Sequence, residues 1–190
     1  MSNRQRTALL GMELNRDRLP LIPEALWTAE QREAVKSIID GPRGAMIGPF
    51  VPLLNAPALM NRVQELGAQL RFKGILPDKL RELAILLTAH EWGQSFEWNH
   101  HAPLAAHAGV RDDVILAISK GMFPERLEIQ EQLVCEVVRQ IHTDKGHVSD
   151  ELFSRASEAL GVSGLLELVV IVGYYGTLAM IMNISETPSS

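Results

Sequence analysis

The segment from Glu82 to Gly109, ELAILLTAHEWGQSFEWNHHAPLAAHAG, carries most of the information about fold class and candidate site. It is apolar enough to be core, yet it holds Glu82, Glu91 and Glu97 together with four of the chain's six histidines. Burying an ionisable side chain is costly unless the group is paired. The segment therefore predicts either a structural polar network or a reaction site within helices.

Glu97 and His101 form the central pair of this segment. They are four residues apart, so on a helix their side chains lie on one face. A carboxylate beside an imidazole orients the ring and favours its protonated form, and such a ring can give or take a proton near neutral pH. The pair is thus a minimal acid/base unit, although a solvated helix face and a satisfied pair between helices remain alternatives.

Metal binding and thiol chemistry are not expected. The segment contains enough side chains of metal-ligand type, namely His90, Glu97, His101 and His107. The chain has no His-Glu-x-x-His motif, no Cys/His cluster and no second carboxylate-rich helix pair, so we predict no metal. The single cysteine, Cys135, excludes an intramolecular disulfide, and its apolar helical surroundings predict a packing role.

Length and charge limit the classes of protein to be considered. A chain of 190 residues is long enough for one domain and short for two. The net charge of -5 and the absence of a Lys/Arg-rich run argue against a nucleic-acid partner. The N-terminal sequence shows no secretory signal, and one lone thiol fits a reducing compartment, so we expect a cytoplasmic protein.

The helical periodicity and the absence of alternating strand patterns predict an all-α fold of seven to eight helices. Prolines at Pro20 and Pro23 predict an irregular N-terminal arm over residues 1–27, followed by one helical domain over 28–186. Residues 40–52 are predicted to be a loop. The expected helices are Thr28 (N-cap) to Ile39, Pro57 to Phe72, Pro77-Asp78 to Gly93, Ser95 (N-cap) to Gly109, Arg111 to Lys120, Pro124-Glu125 to His142, Ser149 (N-cap) to Gly161, and an apolar C-terminal helix.

The C-terminal segment from Leu165 to Ile184 is almost entirely apolar and is long enough to span a bilayer. Its flanks lack lysine and arginine, and Glu167 lies near its beginning, so we predict no membrane span. A helix buried on all sides is the expected structure. In a small domain such a helix usually needs cover from another subunit, which predicts a homo-oligomer.

Three blocks of sequence carry a family resemblance. Arg81-Glu82-Leu83-Ala84-Ile85-Leu86, then Phe96-Glu97-Trp98-x-x-His101, then Ala108-Gly109-Val110 resemble the carboxymuconolactone decarboxylase family, which shares the alkylhydroperoxidase D-like fold. The stretches Gly48-Pro49-Phe50-x-x-Leu53-Leu54 and Gly173-Tyr174-Tyr175 fit its longer, decarboxylase-like members. The resemblance covers about residues 40–184. It implies an alkylhydroperoxidase D-like helical bundle that assembles as a trimer or hexamer.

The redox branch of this family carries a Glu, a Cys-x-x-Cys pair and a His four residues after the second Cys. Counting back from His101 places Glu97 and Gln94 at the two cysteine positions and Glu82 at the upstream acidic position. The chain therefore keeps the acid/base residues and lacks both thiols. A glutamine and a glutamate cannot relay electrons through a disulfide, which argues against peroxidase activity.

The resemblance implies a lyase that needs no metal and no organic cofactor and that decarboxylates a small carboxylated lactone. It implies His101 as proton donor and acceptor, with Glu97 and Glu82 as its orienting or protonating partners. We expect Arg43 to anchor the substrate carboxylate, and Trp98, Tyr175 and Gln94 to line the pocket. An alkylhydroperoxidase-like antioxidant protein and a non-catalytic oligomeric module are the alternative functions.

Overall fold

The protein is all-α, as predicted. A computed structural model describes residues 17–188, and no strand occurs within that range. The described part of the chain contains eight α-helices, the last of which is bent at Gly161. In chain order the elements are a 3₁₀ turn at Glu24–Leu26, then α1 Ala29–Ile39, α2 Phe50–Leu53, α3 Pro57–Phe72, α4 Asp78–Glu91, α5 Ser95–His107, α6 Asp112–Ser119, α7 Ile129–Thr143 and α8 Asp150–Ser185.

The described residues divide into two units, and α3 and α8 contribute residues to both. The first unit comprises residues 17–66 and 180–188, and the second comprises residues 67–179. The irregular arm predicted for residues 1–27 lies largely outside the described residues; of its described part, residues 24–26 form the 3₁₀ turn. The division into an arm and one domain over 28–186 stays a prediction.

In the first unit, α1 begins with the predicted capping box. The amide N–H of Gln31 donates to Thr28 Oγ1 at 3.2 Å, and the amide N–H of Thr28 donates to Gln31 Oε1 at 2.9 Å. These bonds satisfy donors that a helix start otherwise leaves without partners. The core of this unit is formed by Ala34, Val35, Ile38, Phe50, Leu53, Leu54 and Met60.

The loop predicted for residues 40–52 is wrong at its end, because α2 occupies Phe50–Leu53. Phe50 and Leu53 are buried in the core of the first unit, and the amide N–H of Leu54 donates to the carbonyl of Phe50 at 3.1 Å. Glycine and proline content indicated a loop. The burial of these apolar side chains is a tertiary contribution that local composition does not show.

The second unit is organised around α4, which packs against α5, α6 and α7. Residues 80–86 of α4 are all buried, as are Thr88 and Ala89. Helix α4 opens at Pro77-Asp78, as predicted, with Pro77 as its N-cap. Helix α5 begins one residue differently from the prediction, because Gln94 rather than Ser95 is its N-cap; Gln94 Oε1 accepts the Phe96 amide proton at 2.8 Å.

Helix α7 begins later than predicted. Its N-cap is Glu128, which forms a capping box with Glu131, so residues 124–128 lie outside the helix. Arg126 has a φ of 53°, a backbone conformation that a helix does not contain. The side chain of Arg111 donates to the carbonyls of Arg126 and Glu125, at 2.7 and 3.0 Å. These carbonyls are therefore held by a side chain rather than by a first helical turn.

Helix α8 contains both predicted C-terminal helices. Gly161 has φ 72° and ψ 156°, which breaks the helical backbone at the predicted position. Within the single chain α8 is not buried on all sides, because Val162, Leu166, Val169 and Val170 are 61, 61, 45 and 41% exposed; its cover by another subunit stays a prediction. Among the described helices, only α8 is long and apolar enough to cross a membrane, and slightly more than half of its apolar stretch is buried inside the protein.

Candidate active site

Helices α4 and α5 bring Glu82, Glu97 and His101 together in the second unit. His101 Nδ1 lies 2.7 Å from Glu82 Oε2, and His101 Nε2 lies 3.5 Å from Glu97 Oε2. Glu97 and His101 are one turn apart on α5, whereas Glu82 reaches the ring from α4. The imidazole thus has a carboxylate beside each of its two nitrogens.

All three side chains of this acid/imidazole cluster are enclosed by protein. The relative exposures of Glu82, Glu97 and His101 are 4, 3 and 2%. Such burial rules out the solvated helix face considered for the Glu97/His101 pair. In a low-dielectric interior, charged groups persist only when they are paired, so a charged state of this cluster requires that its members compensate one another.

The 2.7 Å contact between His101 Nδ1 and Glu82 Oε2 is a hydrogen bond whose direction follows from the charge of Glu82. An ionised carboxylate can only accept a hydrogen bond, so Nδ1–H donates to Glu82 Oε2. This bond holds the ring orientation and directs Nε2 towards Glu97. Glu82, the His101 ring and Glu97 thus follow one another as carboxylate, imidazole and a group that can exchange a proton. Enzymes in which a carboxylate orients a histidine base towards a nucleophile have the same order.

Arg81 is a member of this charge network that the sequence analysis did not assign. It is 7% exposed; its Nε lies 3.6 Å from Glu82 Oε1, and its Nη2 lies 3.0 Å from Asp78 Oδ1. The guanidinium therefore compensates one of the two buried carboxylates. The sequence indicated this role only through the presence of a basic residue within the apolar stretch that forms α4.

Tyr175 on α8 packs against the imidazole, and Tyr174 packs against Tyr175. The ring of Tyr175 meets His101 edge-on at a centroid distance of 5.1 Å, and Tyr174 meets Tyr175 edge-on at 5.3 Å. Burial raises the pKa of the Tyr175 hydroxyl, and the nearby carboxylates of Glu97 and Glu82 act in the same direction. Tyr175 is thus held neutral against His101, and Tyr174 is a neighbour that the sequence analysis did not single out.

A shallow cleft of about 240 Å³ lies at the N-terminal end of α5. Two of the predicted pocket residues, Gln94 and Trp98, line it, together with His90 and Ser119. Gln94 is 5% exposed, and its side-chain oxygen is engaged in capping α5. Trp98 therefore offers an apolar ring to this cleft, while Gln94 contributes to its floor.

The predicted residue Arg43 belongs to the first unit. There its guanidinium carbon lies 4.8 Å from the centroid of the Phe50 ring. This is cation–π geometry, which holds the side chain against an apolar surface. The assignment of Arg43 as a carboxylate anchor stays a prediction.

Cys135 lies in α7, 1% exposed among core side chains. Burial raises the pKa of its thiol to about 12. Only the thiolate is an effective nucleophile, so this thiol is unreactive at neutral pH. The packing role predicted for Cys135 is confirmed. Within residues 17–188, no group of three or more His, Cys, Asp or Glu side chains has the arrangement of a metal site.

The part of the chain that carries this cluster is similar in sequence to a known protein family. Residues 57–125 match the model of the carboxymuconolactone decarboxylase family. The match includes Glu82, Gln94, Glu97 and His101, and it is narrower than the 40–184 expected from the sequence blocks. A search of curated proteins finds no match to the chain.

Proposed function

From the match of residues 57–125 to the model of the carboxymuconolactone decarboxylase family, we propose that the protein is a cofactor-free acid/base enzyme acting on a small carboxylated ring or lactone compound. The most direct form of the proposal is a carboxy-lyase of the carboxymuconolactone decarboxylase type. The observation that carries it is the enclosed His101 ring, with one carboxylate beside each nitrogen.

The chemistry requires a bond to break and a proton to arrive. The bond between the substrate carbon and its carboxylate breaks, CO₂ leaves, and the electron pair remains on the substrate as an extended enolate. His101 then delivers its Nε2 proton to carbon, and a proton taken up from solvent, directly or by way of the Glu97 carboxylate, restores the imidazolium. Glu82 keeps the ring oriented throughout by accepting the Nδ1 proton in a hydrogen bond.

The charges of the cluster suit this cycle. With His101 protonated, the imidazolium and the Arg81 guanidinium cancel the two carboxylates, whereas with His101 neutral one negative charge remains. That remaining charge favours return of a proton to the ring, since the group lies in a low-dielectric interior. The His101 ring thus returns to its protonated form after each proton transfer.

Substrate approaches through the cleft at the start of α5 in this proposal. Trp98 supplies an apolar surface for the ring of the substrate, and Gln94 lies beside it in the cleft. Tyr175 and His101 are not among the residues that line the cleft, so the proposal requires Tyr175, which packs against the His101 ring, to move as substrate reaches it. Arg43 remains our proposed anchor for the departing carboxylate, because a guanidinium pairs with a carboxylate in a two-pronged geometry.

An alkylhydroperoxidase-like antioxidant function has less support. It needs a reactive thiol, and the chain has one cysteine, whose thiol pKa is raised to about 12. The redox positions that the resemblance implies are occupied by Gln94 and Glu97, which carry no sulfur. The remaining alternative, a non-catalytic oligomeric module, predicts that Glu82, Glu97 and His101 can be replaced without loss of function.

The test is turnover of γ-carboxymuconolactone, followed as CO₂ release, for wild type, His101→Asn and Glu97→Gln. We expect both variants to lose about 10²- to 10⁴-fold in kcat, the usual contribution of a general acid/base group. His107→Asn is the matched control, since His107 is exposed on the same helix. Activity of both site variants within a few-fold of wild type contradicts the proposal, and hydrogen peroxide consumption by the wild type favours the antioxidant alternative.

We also propose a cytoplasmic homo-oligomer, a trimer or hexamer, with a small carboxylated molecule as substrate and neither nucleic acid nor membrane as partner. The support for the oligomer is the exposed apolar face of α8. The support for the cytoplasmic compartment is the single free cysteine. A chain with one cysteine forms no internal disulfide, so a reducing environment does not destabilise it.

A further inference from the structure

A second cavity of about 270 Å³ lies in the second unit, between the C-terminal ends of α4 and α6 and the face of α7. None of Glu82, Glu97 and His101 is among the described residues that line it. Its size is close to the lower end of the range for small-molecule pockets. Its apolar lining is formed by Leu87, Ile118, Met122, Phe123, Cys135 and Val138.

The floor and the mouth of this cavity differ in character. Ile118, Cys135 and Val138 at the floor are at most 1% exposed, whereas Met122 and Phe123 are 53 and 41% exposed. A ligand with an apolar end gains free energy by covering the floor, and its polar end can remain near water. The cavity is therefore suited to an amphipathic molecule rather than to a fully polar one.

One wall of the cavity is held in place before any ligand arrives. Residues 122–124 precede α7, and the segment that follows them is fixed by Arg111, whose guanidinium donates to the carbonyls of Glu125 and Arg126. Arg111 is itself oriented by Asp113, with Nε to Oδ1 at 2.9 Å. A wall fixed in this way removes part of the ordering cost of binding.

Charged groups stand at the mouth. Arg139 is exposed, and its guanidinium carbon lies 5.9 Å from the centroid of the Phe123 ring. No carboxylate within residues 17–188 lies within ion-pair distance of this guanidinium. The lining also contains the half-buried His90 and the exposed carboxylate of Glu91.

We propose that this cavity binds an amphipathic monocarboxylate, with its carboxylate on Arg139 and its apolar part against Ile118 and Val138. A guanidinium on an aromatic face is a preorganised partner for a carboxylate. Glu91 lowers the positive potential of the site, so a dianion such as phosphate binds less well than a monoanion. The site shares His90 with the cleft at the start of α5, but it uses none of Glu82, Glu97 and His101.

Hexanoate is the probe, measured by isothermal titration calorimetry at constant ionic strength. We expect saturable 1:1 binding, with hexanamide and inorganic phosphate each at least tenfold weaker. Arg139→Gln should weaken hexanoate binding about tenfold, because it removes a charge-assisted hydrogen bond. Arg32→Gln, at an exposed arginine of α1, should leave the affinity unchanged.

Methyl NMR locates the bound probe. Met122 lines the cavity, whereas Met60 is 0% exposed in the core of the first unit. Hexanoate should shift the Met122 methyl signal and leave that of Met60 in place, in wild type and equally in His101→Asn. The proposal is overturned by absence of saturable binding, by equal binding of hexanamide, by an unshifted Met122 signal, or by unchanged affinity in Arg139→Gln.

Discussion

At the scale of single residues, the protein buries charges that most proteins leave in water. Glu97 and His101 were identified from their spacing in an apolar segment and Glu82 from the family resemblance, and the structure brings all three together. Arg81 was not assigned, because sequence spacing indicates which residues share a helix face but not which charges lie close enough to compensate one another. The need for charge balance in a buried site explains its presence.

Replacing Arg81 with methionine tests this balance. Arg81→Met keeps the length of the side chain but leaves Glu82 without its guanidinium, so we expect a loss of roughly 3 kcal/mol in the free energy of unfolding. Urea denaturation measures it. Arg62→Met is the control: Arg62 pairs with Glu65 at 3.0 Å on the surface, where an ion pair contributes at most about 0.5 kcal/mol. Equal effects of the two substitutions would show that Arg81 does not compensate a buried charge.

The Cys135 thiol predicts a dependence of stability on alkaline pH. Its pKa rises from 9.0 in the unfolded chain to about 12 in the fold, so the unfolded state releases this proton first. Stability should therefore fall as pH rises from about 9 towards 12, by up to ~1.4 kcal/mol per pH unit. Unfolding of wild type and Cys135→Ala in urea at pH 8, 9 and 10 measures the difference; parallel curves for the two proteins would refute it.

At the scale of elements, the sequence predicts helices whose signals are local and misplaces those whose ends depend on distant contacts. Pro57–Phe72 and the capping box of α1 were placed correctly, because proline at N1 and the Thr28/Gln31 pair act within one turn. The beginning of α7 was misplaced because the side chain of Arg111 holds the carbonyls of residues 125 and 126 from a different element. Because the sequence places residues 124–128 in a helix, it does not predict the irregular segment beside the second cavity.

Glu167 on α8 illustrates such a distant contact, and its replacement gives a prediction. Its carboxylate accepts the amide protons of Ile75 and Leu76, at 2.9 to 3.0 Å, in the turn before α4. Glu167→Ala leaves both donors without this partner, and we expect a loss of about 2 kcal/mol in thermal or urea unfolding. Glu158→Ala, at an exposed glutamate of the same helix, should change stability by less than about 0.5 kcal/mol.

At the scale of the whole molecule, the composition of α8 predicts more burial than one chain provides. Val162, Leu166, Val169 and Val170 all remain exposed. Hydropathy indicated a helix that requires cover, but it does not distinguish cover by the same chain from cover by another copy. The exposed residues recur at intervals of three and four, so they form one stripe on the second unit's part of α8.

We expect this stripe to be covered by a second copy of the chain. Leu166→Glu would place a charge within that contact, and the mass measured by light scattering should fall towards the monomer, because burying an unpaired charge is costly. Leu116→Glu, at a leucine of α6 with 54% exposure, should leave the mass unchanged. A wild-type protein that is monomeric at micromolar concentration would contradict the expectation.

The enclosure of Cys135 has a practical consequence for spectroscopy. With its thiol protonated and shielded, the native chain offers maleimide reagents almost nothing to react with at neutral pH. A cysteine introduced at Trp98 or Met122 would therefore carry a fluorophore or spin label selectively, with the natural sequence otherwise intact. Ligand arrival at each cleft could then be timed separately in the same background.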